Sequence, residues 1–448
     1  DGGIQVTGPG RLHVTANKDI DLGTSDGIRS LGNLYNPFLP AQGADLFVQA
    51  GAAAVADFEG ILSAYVDPSS IYSSIYLPQL TQLIRTRTGD SSIDSTQALT
   101  AFRQLDKESQ TGFINSVYFA ELRAGGRDAL DVNNSSFGDY SRSQRAILTM
   151  FPTFAQPETT QSLLASTGSI MNGFESIGNE EVSNPGDLSL FYSQIRSESG
   201  GAIEILVPGG LINAGLAVAS DIAKPDSELG IVTLRGGDLL GFVRDDFLVN
   251  QSRVFTLGGS DLLLYSALGS IDAGRGAKTA SSTPPPLITI QNGQVTFDFS
   301  GAVTGSGIAA LTSTGGVPGR ASLFAPYGEI NAGEAGIRSA GDIDLGARVI
   351  IGADNIKVGG TSTGLPVAST GAAGLTAPAS SDPTAQNKQG SEIAESAKTD
   401  GNKLAALPSL ITVEVISLGD ESTSVAPATA TTPKPNAAED KAKKDNKP

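Results

Sequence analysis

Four charged residues in the segment RGGDLLGFVRDD are of the types that could perform chemistry: Asp238, Arg244, Asp245 and Asp246. Two carboxylates beside a basic residue are the groups with which an enzyme cleaves an acidic polysaccharide. A glycosidase pair requires carboxyl groups about 5–5.5 Å or 6.5–9.5 Å apart, and sequence spacing does not give that distance. Solvated charges at a turn explain the same pattern equally well, so both interpretations stay open.

The composition excludes most other catalytic and metal-binding groups. The chain has no Cys and one His, which removes thiol chemistry, disulfides, thiolate metal sites and paired-His zinc sites. His13 alternates with Leu12 and Val14, and this alternation predicts a strand residue. The segment GGSDLLLY (258–265) matches half of a Gly/Asp calcium repeat, but the tandem repetition is missing. We therefore assign no catalytic, cofactor-binding or metal-binding residue and expect no cofactor.

Two segments resemble phosphate-binding motifs and fail on context. GSGIAA (305–310) fits G-x-G-x-x-A, with Glu329 about 20 residues further on. The next residues, LTSTGGVPG, cannot continue the helix whose N-terminus would hold a pyrophosphate, so we predict a turn. GRGAKT, which contains Lys278 and Thr279, lacks the phosphate-loop spacing.

The charge and the hydropathy exclude two further classes. The 448 residues carry a formal net charge of −17, which disfavours binding to nucleic acid or to an anionic membrane surface. The most apolar stretch, 201–220, contains Glu204, Pro208 and Asn213. A membrane-spanning helix needs about 20 mostly apolar residues, so we predict strands and turns there.

An internal repeat indicates what must position these residues. GLINAG (210–215), GSIDAG (269–274) and GEINAG (328–333) recur at an interval of 59 residues. That interval divides into three coils of roughly 20 residues, a usual size for stacked repeats. The pattern predicts a mainly β protein built as a right-handed parallel β-helix. Ile212, Ile271 and Ile330 would then share an inward column, three coils apart, while Asn213, Asp272 and Asn331 would occupy the following turn.

Periodicity divides the chain into segments. Period-2 runs closed by Gly predict β-helix coils over 1–56 and 187–360, whereas helical spacing predicts a helix-rich insertion over 57–186. Within the insertion we predict a helix stop at Gly125–Gly126 and a capping box formed by Ser141 and Gln144. The remaining segments are a low-complexity linker (361–408), a final strand (409–419) and a disordered Pro/Lys-rich tail (420–448).

The insertion is the segment whose role is most open. Insertions into solenoids emerge on one face, often the binding face, and Tyr65, Tyr72 and Tyr76 offer rings for ligand contact. An insertion that caps or braces the coils explains the same sequence.

DLSLFYSQIRSESGGAIEILVPGGLINAG (187–215) and SLITVEVISLG (409–419) resemble the C-terminal region of filamentous haemagglutinin-like exoproteins, the large partners of two-partner secretion systems. The likeness covers roughly residues 1–419. It implies a right-handed β-helical filament, secreted to the surface of Gram-negative bacteria and associated with the outer membrane. The partners implied are an outer-membrane transporter, engaged through an N-terminal region that we expect to be absent here, and a protein or glycan on a host or neighbouring cell.

The sequence therefore predicts a non-catalytic part of a cell-surface adhesin that mediates attachment or cell-cell aggregation. Two alternatives stay open. One is a β-helical polysaccharide-degrading enzyme that uses the cluster around Asp245. The other is the stalk of a contact-dependent toxin.

Overall fold

A computed structural model describes residues 2–33, 36, 38–52, 56–154, 186–216, 224, 228–276, 287–291, 294–298, 305–312 and 316–365. All of these residues belong to a compact unit of residues 1–375. The predictions for the greater part of the linker (361–408), for the final strand (409–419) and for the disordered tail (420–448) lie outside the described residues, as do Lys278 and Thr279.

Short strands alternate with turns along most of the described chain. In chain order they are β1 (Gly3–Val6), β2 (Arg11–Thr15), β3 (Ile20–Asp21), β4 (Gly27–Ser30), β5 (Asp45–Gln49), β6 (Leu188–Ser189), β7 (Gln194–Ser197), β8 (Ile203–Val207), β9 (Ile212–Asn213), β10 (Gly230–Thr233), β11 (Leu239–Val243), β12 (Phe247–Leu248), β13 (Arg253–Thr256), β14 (Leu262–Ser266), β15 (Ile271–Asp272), β16 (Leu287–Gln291), β17 (Gln294–Asp298), β18 (Gly307–Ala310), β19 (Ala321–Asn331), β20 (Ile337–Ser339), β21 (Ile343–Ile351), β22 (Ile356–Val358) and β23 (Ser362–Thr363).

Two large sheets of parallel strands make the described chain mostly β. One sheet, here called the narrow sheet, has the order β1-β4-β7-β10-β13-β18-β20-β22. The other, here called the wide sheet, contains the run β2-β5-β8-β11-β14-β19-β21-β23 and a second run of two-residue strands from β3 to β15. The chain visits the two sheets in turn, and each strand pairs with its counterpart from the previous and the next visit. This order agrees with the coils predicted from the sequence.

The inward-facing residues of both sheets form one apolar core. Register places Leu46, Ile203, Leu239 and Leu262 in one column of the wide sheet, and all four are fully buried. Ile195 and Ile231 form the corresponding column of the narrow sheet. Period-2 patterning therefore predicted the inward face correctly.

The 59-residue interval was interpreted wrongly, although the column that it indicated is real. Ile212 pairs with Phe247, and Phe247 pairs with Ile271, so the first interval spans two coils. Ile271 pairs directly with Ile330, so the second interval is a single coil. That coil is long because it contains the antiparallel hairpin β16–β17. The equal spacing is produced by insertions of different length, and it is not a coil period.

The repeated Asn or Asp makes the predicted turn. The Oδ1 atoms of Asn213, Asp272 and Asn331 each accept a hydrogen bond from the backbone N–H two residues later, at 2.7–3.1 Å. Gly274 and Gly333, which close the second and third copies, have φ of +80° and +55°, a conformation that favours glycine.

Helices occupy the described part of the insertion. They are α1 (Phe58–Ile61), which continues as a π-helical turn (Leu62–Val66), α2 (Ser73–Thr88), α3 (Ser95–Arg103), α4 (Lys107–Leu130) and α5 (Ser141–Met150), followed by a 3₁₀ turn (Pro152–Phe154). We call residues 57–154 the helical layer.

Two local predictions about this layer are wrong. Gly125 and Gly126 lie inside α4 and do not end it, for a packing reason given below. Tyr140, and not Ser141, is the N-cap of α5 and makes no side-chain cap bond. Asp139 accepts from the N–H of Ser141 instead.

Candidate functional site

The helical layer covers the outward face of the wide sheet. Outward side chains of five successive strands are buried there: Phe47, Leu206, Phe242, Tyr265 and Phe324. The strands of a sheet covered on both faces carry apolar residues on both faces. This face of the wide sheet is therefore an internal interface, and the insertion does not stand away from the sheet as a loop.

Aromatic rings form the centre of this interface. Phe151 stacks on Phe242 with ring centroids 5.8 Å apart and an interplanar angle of 11°. Tyr118 of α4 meets the same Phe242 edge-on, at 5.5 Å and 80°. Such ring pairs stabilise by about 0.5–1.5 kcal/mol each beyond their area burial. The packing therefore holds the layer in one position on the sheet.

Helix α4 runs across the strands from β2 to β23 of the wide sheet, and its length matches the width of that run. A helix of 24 residues is about 36 Å long, and the run of eight strands from β2 to β23 spans about 34 Å at 4.8 Å per strand. A Cβ on Gly126 would lie 2.4 Å from Cζ of the Phe324 ring. Glycine is needed here for close approach, which is why Gly125–Gly126 lies inside the helix.

Ion pairs fix one part of α4 to the sheet, and a hydrogen bond fixes the other. Arg123 Nη1 donates to Asp261 Oδ2 at 3.1 Å, and Arg127 Nε donates to Asp344 Oδ2 at 2.8 Å. At the other end Asn115 Nδ2 donates to Glu204 Oε2 at 2.7 Å.

The contacts of Glu204 join two strands to the helix. Arg11 of β2 donates to both carboxylate oxygens of Glu204, at 2.9 and 3.0 Å. Burial raises the pKa of Glu204, and the charge of Arg11 opposes that rise. Removal of one partner would leave the other polar groups buried without compensation, which is costly.

The carboxylates first considered as a catalytic cluster serve the stacking of the coils. Asp238 Oδ1 accepts from the N–H of Asp261 at 2.9 Å, and Asp246 Oδ1 accepts from the N–H of Ser270 at 2.8 Å. In both pairs the donor belongs to the next coil. Asp238 precedes β11 and Asp245 follows it, and the five residues of that strand span about 17 Å, which is too far for a glycosidase pair.

Arg244 and Asp245 form a local ion pair. Arg244 Nη1 donates to Asp245 Oδ1 at 2.9 Å. Burial raises the pKa of Asp245, and the neighbouring Arg244 opposes it. The structure thus does not unite the four charged residues in one catalytic arrangement.

Carboxylate-to-backbone bonds between coils recur at two turns, and the sequence analysis missed them. Beside Asp238 and Asp246, Asp187 Oδ1 accepts from the N–H of Leu211 at 2.8 Å, and Asp342 Oδ1 accepts from the N–H of Thr361 at 2.9 Å. A signal was present, because in each case an Asp stands directly before a strand.

The remaining candidates have structural roles. His13 lies in β2, as predicted, and its ring meets Phe47 edge-on at 5.2 Å. Asp261, the acid of the calcium-like segment, pairs with Arg123. GSGIAA contributes strand β18 and no helix, so the turn predicted there is wrong. No three His, Cys, Asp or Glu side chains are grouped to hold a metal ion within the described ranges.

Two of the three tyrosines proposed for ligand contact are buried. Tyr65 and Tyr76 are 0% and 4% exposed. Tyr76 donates a hydrogen bond to the buried Glu121, which Arg142 also binds at 2.8 Å. Tyr72 is partly exposed, and its hydroxyl accepts from Arg145 at 2.9 Å.

A stretch of sequence without charged residues lies partly exposed on the helical layer. Residues 68–84 contain no Asp, Glu, Lys or Arg, although charged residues are 17% of the chain. Within this stretch Ile71, Ile75 and Leu83 are 81%, 46% and 39% exposed. No helix in the described ranges is long and apolar enough to cross a membrane. Residues 201–216, the described part of the most apolar stretch, contribute β8 and β9 as predicted.

The fold and the internal interface define a scaffold of parallel strands with a helical layer fixed to one face. Residues 259–367, which extend from the turn before β14 past β23, match the family model described as filamentous haemagglutinin family outer membrane protein. The family recognised in the sequence is therefore confirmed over this segment. Comparison with curated proteins found no match, and comparison with solved structures found none either.

Proposed function

We propose that the chain is a non-catalytic segment of a large filamentous adhesin, secreted to the bacterial surface by an outer-membrane two-partner transporter. The single observation that carries the proposal is the match of residues 259–367 to the filamentous haemagglutinin family. The parallel sheets support a right-handed parallel β-helix, because parallel crossover connections are right-handed in nearly all proteins. We assign the coils to 1–56 and 187–360 and the insertion to 57–186.

In this proposal the helical layer has two functions, one on each side. Its inner side braces the wide sheet by packing on Phe242 and Tyr265 and through the ion pairs of α4. Its outer side carries the uncharged stretch 68–84, with Ile71 and Ile75 in solvent. Clusters of exposed apolar side chains are typical of contact surfaces. Attachment to a protein or glycan of another cell is therefore assigned to this outer side.

The test compares charge substitutions on two exposed faces. The full chain is displayed on a non-adherent bacterium, and attachment to host cells and cell-cell aggregation are measured. We expect Ile71→Glu with Ile75→Glu to reduce attachment at least fivefold. The matched control, Val349→Glu with Ile351→Glu on β21, alters residues that are 48% and 42% exposed and should leave attachment unchanged.

Two outcomes would contradict the proposal. Equal attachment by both double variants, with unchanged melting temperatures, would remove the outer side of the helical layer from the proposal. Depolymerisation of an acidic polysaccharide that is lost in Asp245→Asn would replace the adhesin with an enzyme. Deletion of 57–154 is a poor test, because it would bare the apolar face of the wide sheet.

A further inference from the structure

Two long loops leave the same edge of the described coils. The strands of each large sheet are parallel, so the connections from a narrow-sheet strand to the next wide-sheet strand all lie along one edge. Three of these connections are short: 198–202, 234–238 and 257–261. The loop 31–44, between β4 and β5, and the loop 311–320, between β18 and β19, are two to three times as long.

Each long loop carries an apolar tip in solvent. Phe38 and Leu39 are 93% and 49% exposed in the first loop, and Val317 is 78% exposed in the second. Neither 31–44 nor 311–319 contains an Asp, Glu, Lys or Arg. An almost fully exposed aromatic ring gains nothing from water, so the pattern indicates a contact surface.

Hydrogen bonds within the first loop hold its tip in position. The N–H of Phe38 donates to Asn36 Oδ1 at 3.1 Å, and the N–H of Leu39 donates to the carbonyl of Asn36 at 3.2 Å. Asn33 Nδ2 donates to the carbonyl of Pro40 at 3.0 Å, and Pro40 itself has no N–H. The backbone N–H groups of the tip are thus satisfied within the loop, as a segment that leaves water requires.

The second loop is held against the neighbouring coil. Thr312 Oγ1 donates to the carbonyl of Val317 at 3.0 Å. Gly259 of the adjacent short loop lies against that carbonyl, since a Cβ on Gly259 would be 2.0 Å from its oxygen. Pro318, which follows Val317, has no N–H to satisfy. The second tip is therefore fixed relative to the coils.

The two tips are separated along the stack of coils. Four strand spacings lie between β5 and β19, through β8, β11 and β14, which is about 19 Å. The short loops between them carry charged residues, among them Glu198, Arg235 and Asp261. A shorter loop reaches less far from the sheets, so a partner that contacts both tips passes over these charges without burying them.

We propose that the tips of 31–44 and 311–320 insert together into the surface of an uncharged lipid bilayer, with Phe38, Leu39 and Val317 among the headgroups and upper acyl chains. A planar bilayer meets two separated apolar tips at once, whereas a protein would need two pockets at the same spacing. The absence of charge from both tips avoids the cost of burying one, and the net charge of −17 disfavours an anionic bilayer. The inference goes beyond the adhesin proposal and concerns a different surface.

The first experiment measures lipid contact at chosen positions. The chain has no Trp, so Phe38→Trp and Val317→Trp each introduce a single fluorescent reporter into the full chain. Ile351→Trp is the control, at the far end of β21 from the edge that carries the loops. Each variant is mixed with phosphatidylcholine vesicles whose acyl chains carry bromine, which quenches Trp fluorescence. We expect quenching at both tips and none at Ile351→Trp.

Vesicle sedimentation measures the affinity. Phe38→Ser with Leu39→Ser should weaken binding to phosphatidylcholine vesicles by about tenfold or more, because burial of one such side chain contributes about a factor of ten. The matched control, Val349→Ser with Ile351→Ser, alters residues that are 48% and 42% exposed and should bind as the unaltered chain does. Replacement of part of the phosphatidylcholine by phosphatidylserine should weaken binding.

The proposal is overturned by absence of quenching at either tip, by equal quenching at Ile351→Trp, by unchanged sedimentation of the Phe38 and Leu39 double variant, or by stronger binding to vesicles that contain phosphatidylserine. Loss of cell attachment in that double variant without lipid quenching would assign the tips to a protein partner and would overturn it too. None of these results involves Ile71 or Ile75, so failure here is distinguishable from failure of the adhesin proposal.

Discussion

The two large sheets differ in what their outward faces carry. In the wide sheet one outward column is large and apolar from β8 to β19, as at Leu206, Phe242 and Phe324, and the helical layer buries it. In the narrow sheet the outward column changes along its length. Arg29 and Arg196 stand in two successive strands, and the column continues with the buried Val232, Phe255 and Ala309 and then with Arg338.

Outward apolar residues indicate where an inserted segment packs. A solenoid strand needs only its inward side chains to fold, so apolar residues on the outward side indicate a second covering layer. In β14 the sequence LLLYS is apolar at four consecutive positions, and both Leu264 and Tyr265 are buried, one inward and one outward. The helical layer is thus part of the fold and not an appendage to it.

The largest expected effect tests whether the outward face contributes as much as the inward one. Tyr265→Ala should destabilise by about 3–5 kcal/mol, and the inward Leu264→Ala by about 2–5 kcal/mol, since both empty a buried site. Val349→Ala, at a half-exposed outward position, should change stability by less than about 0.5 kcal/mol. Denaturant unfolding measures all three. If Tyr265→Ala behaved like Val349→Ala, the helical layer would not be a packed part of the core.

A smaller difference in stability is expected between alanine substitutions at two glycines of α4. Gly126→Ala places a methyl group against the buried ring of Phe324 and should cost about 1–3 kcal/mol through overpacking. Gly112→Ala meets only the end of the Arg11 side chain, at 2.8 Å from Nη2, and higher helix propensity offsets that contact by up to about 1 kcal/mol. Thermal unfolding of the two variants checks this. Equal destabilisation would contradict close packing of α4 on β19.

The sequence predicted the elements of this fold better than their contacts. Alternation found the inward column that contains Ile203 and Leu262, because strand side chains alternate strictly between the two faces. Helical spacing found the helices within 57–154. Neither strand alternation nor helical spacing identifies which residues pack on an outward side chain. The packing of the helical layer on Phe242 was therefore not predicted.

Errors arose where one residue type serves two purposes. Gly126 was interpreted as a helix stop because glycine commonly ends helices, yet here it admits the Phe324 ring. Asp238 and Asp246 were considered for catalysis, yet each accepts a backbone hydrogen bond from the next coil. Only the residues that surround Gly126, Asp238 and Asp246 in the folded chain distinguish these roles.

Two carboxyl groups, one beneath the helical layer and one on an uncovered turn, have pKa values shifted in opposite directions. Glu204, beneath the helical layer, has its pKa raised by burial. Asp342, on an uncovered turn, has its pKa lowered by the hydrogen bond from the N–H of Thr361 and then by that from Arg320. A raised carboxyl pKa means that the folded state binds a proton more readily than the unfolded state, so this group's contribution improves as pH falls towards about 4.3. A lowered pKa gives a contribution that is present above about 3.9 and is lost as pH falls further.

Glu204→Gln and Asp342→Asn should therefore respond to acid with opposite signs. Between pH 7 and about pH 4.5 the unaltered chain should gain stability relative to Glu204→Gln, because protonation relieves the cost of burying the charge. Below about pH 4 the advantage of the unaltered chain over Asp342→Asn should shrink, because the carboxylate that accepts from Thr361 becomes protonated.

Urea unfolding at a series of pH values measures both differences in stability, and Asp354→Asn, which removes an exposed carboxylate from a turn, is the control. Both effects are small, because Arg11 partly compensates Glu204 and solvent screens Asp342. If the stability differences between the unaltered chain and the two variants changed with pH in the same direction, burial beneath the helical layer would not set the pKa of Glu204 apart from that of Asp342. The contrast between covered and uncovered faces would then not extend to charged residues.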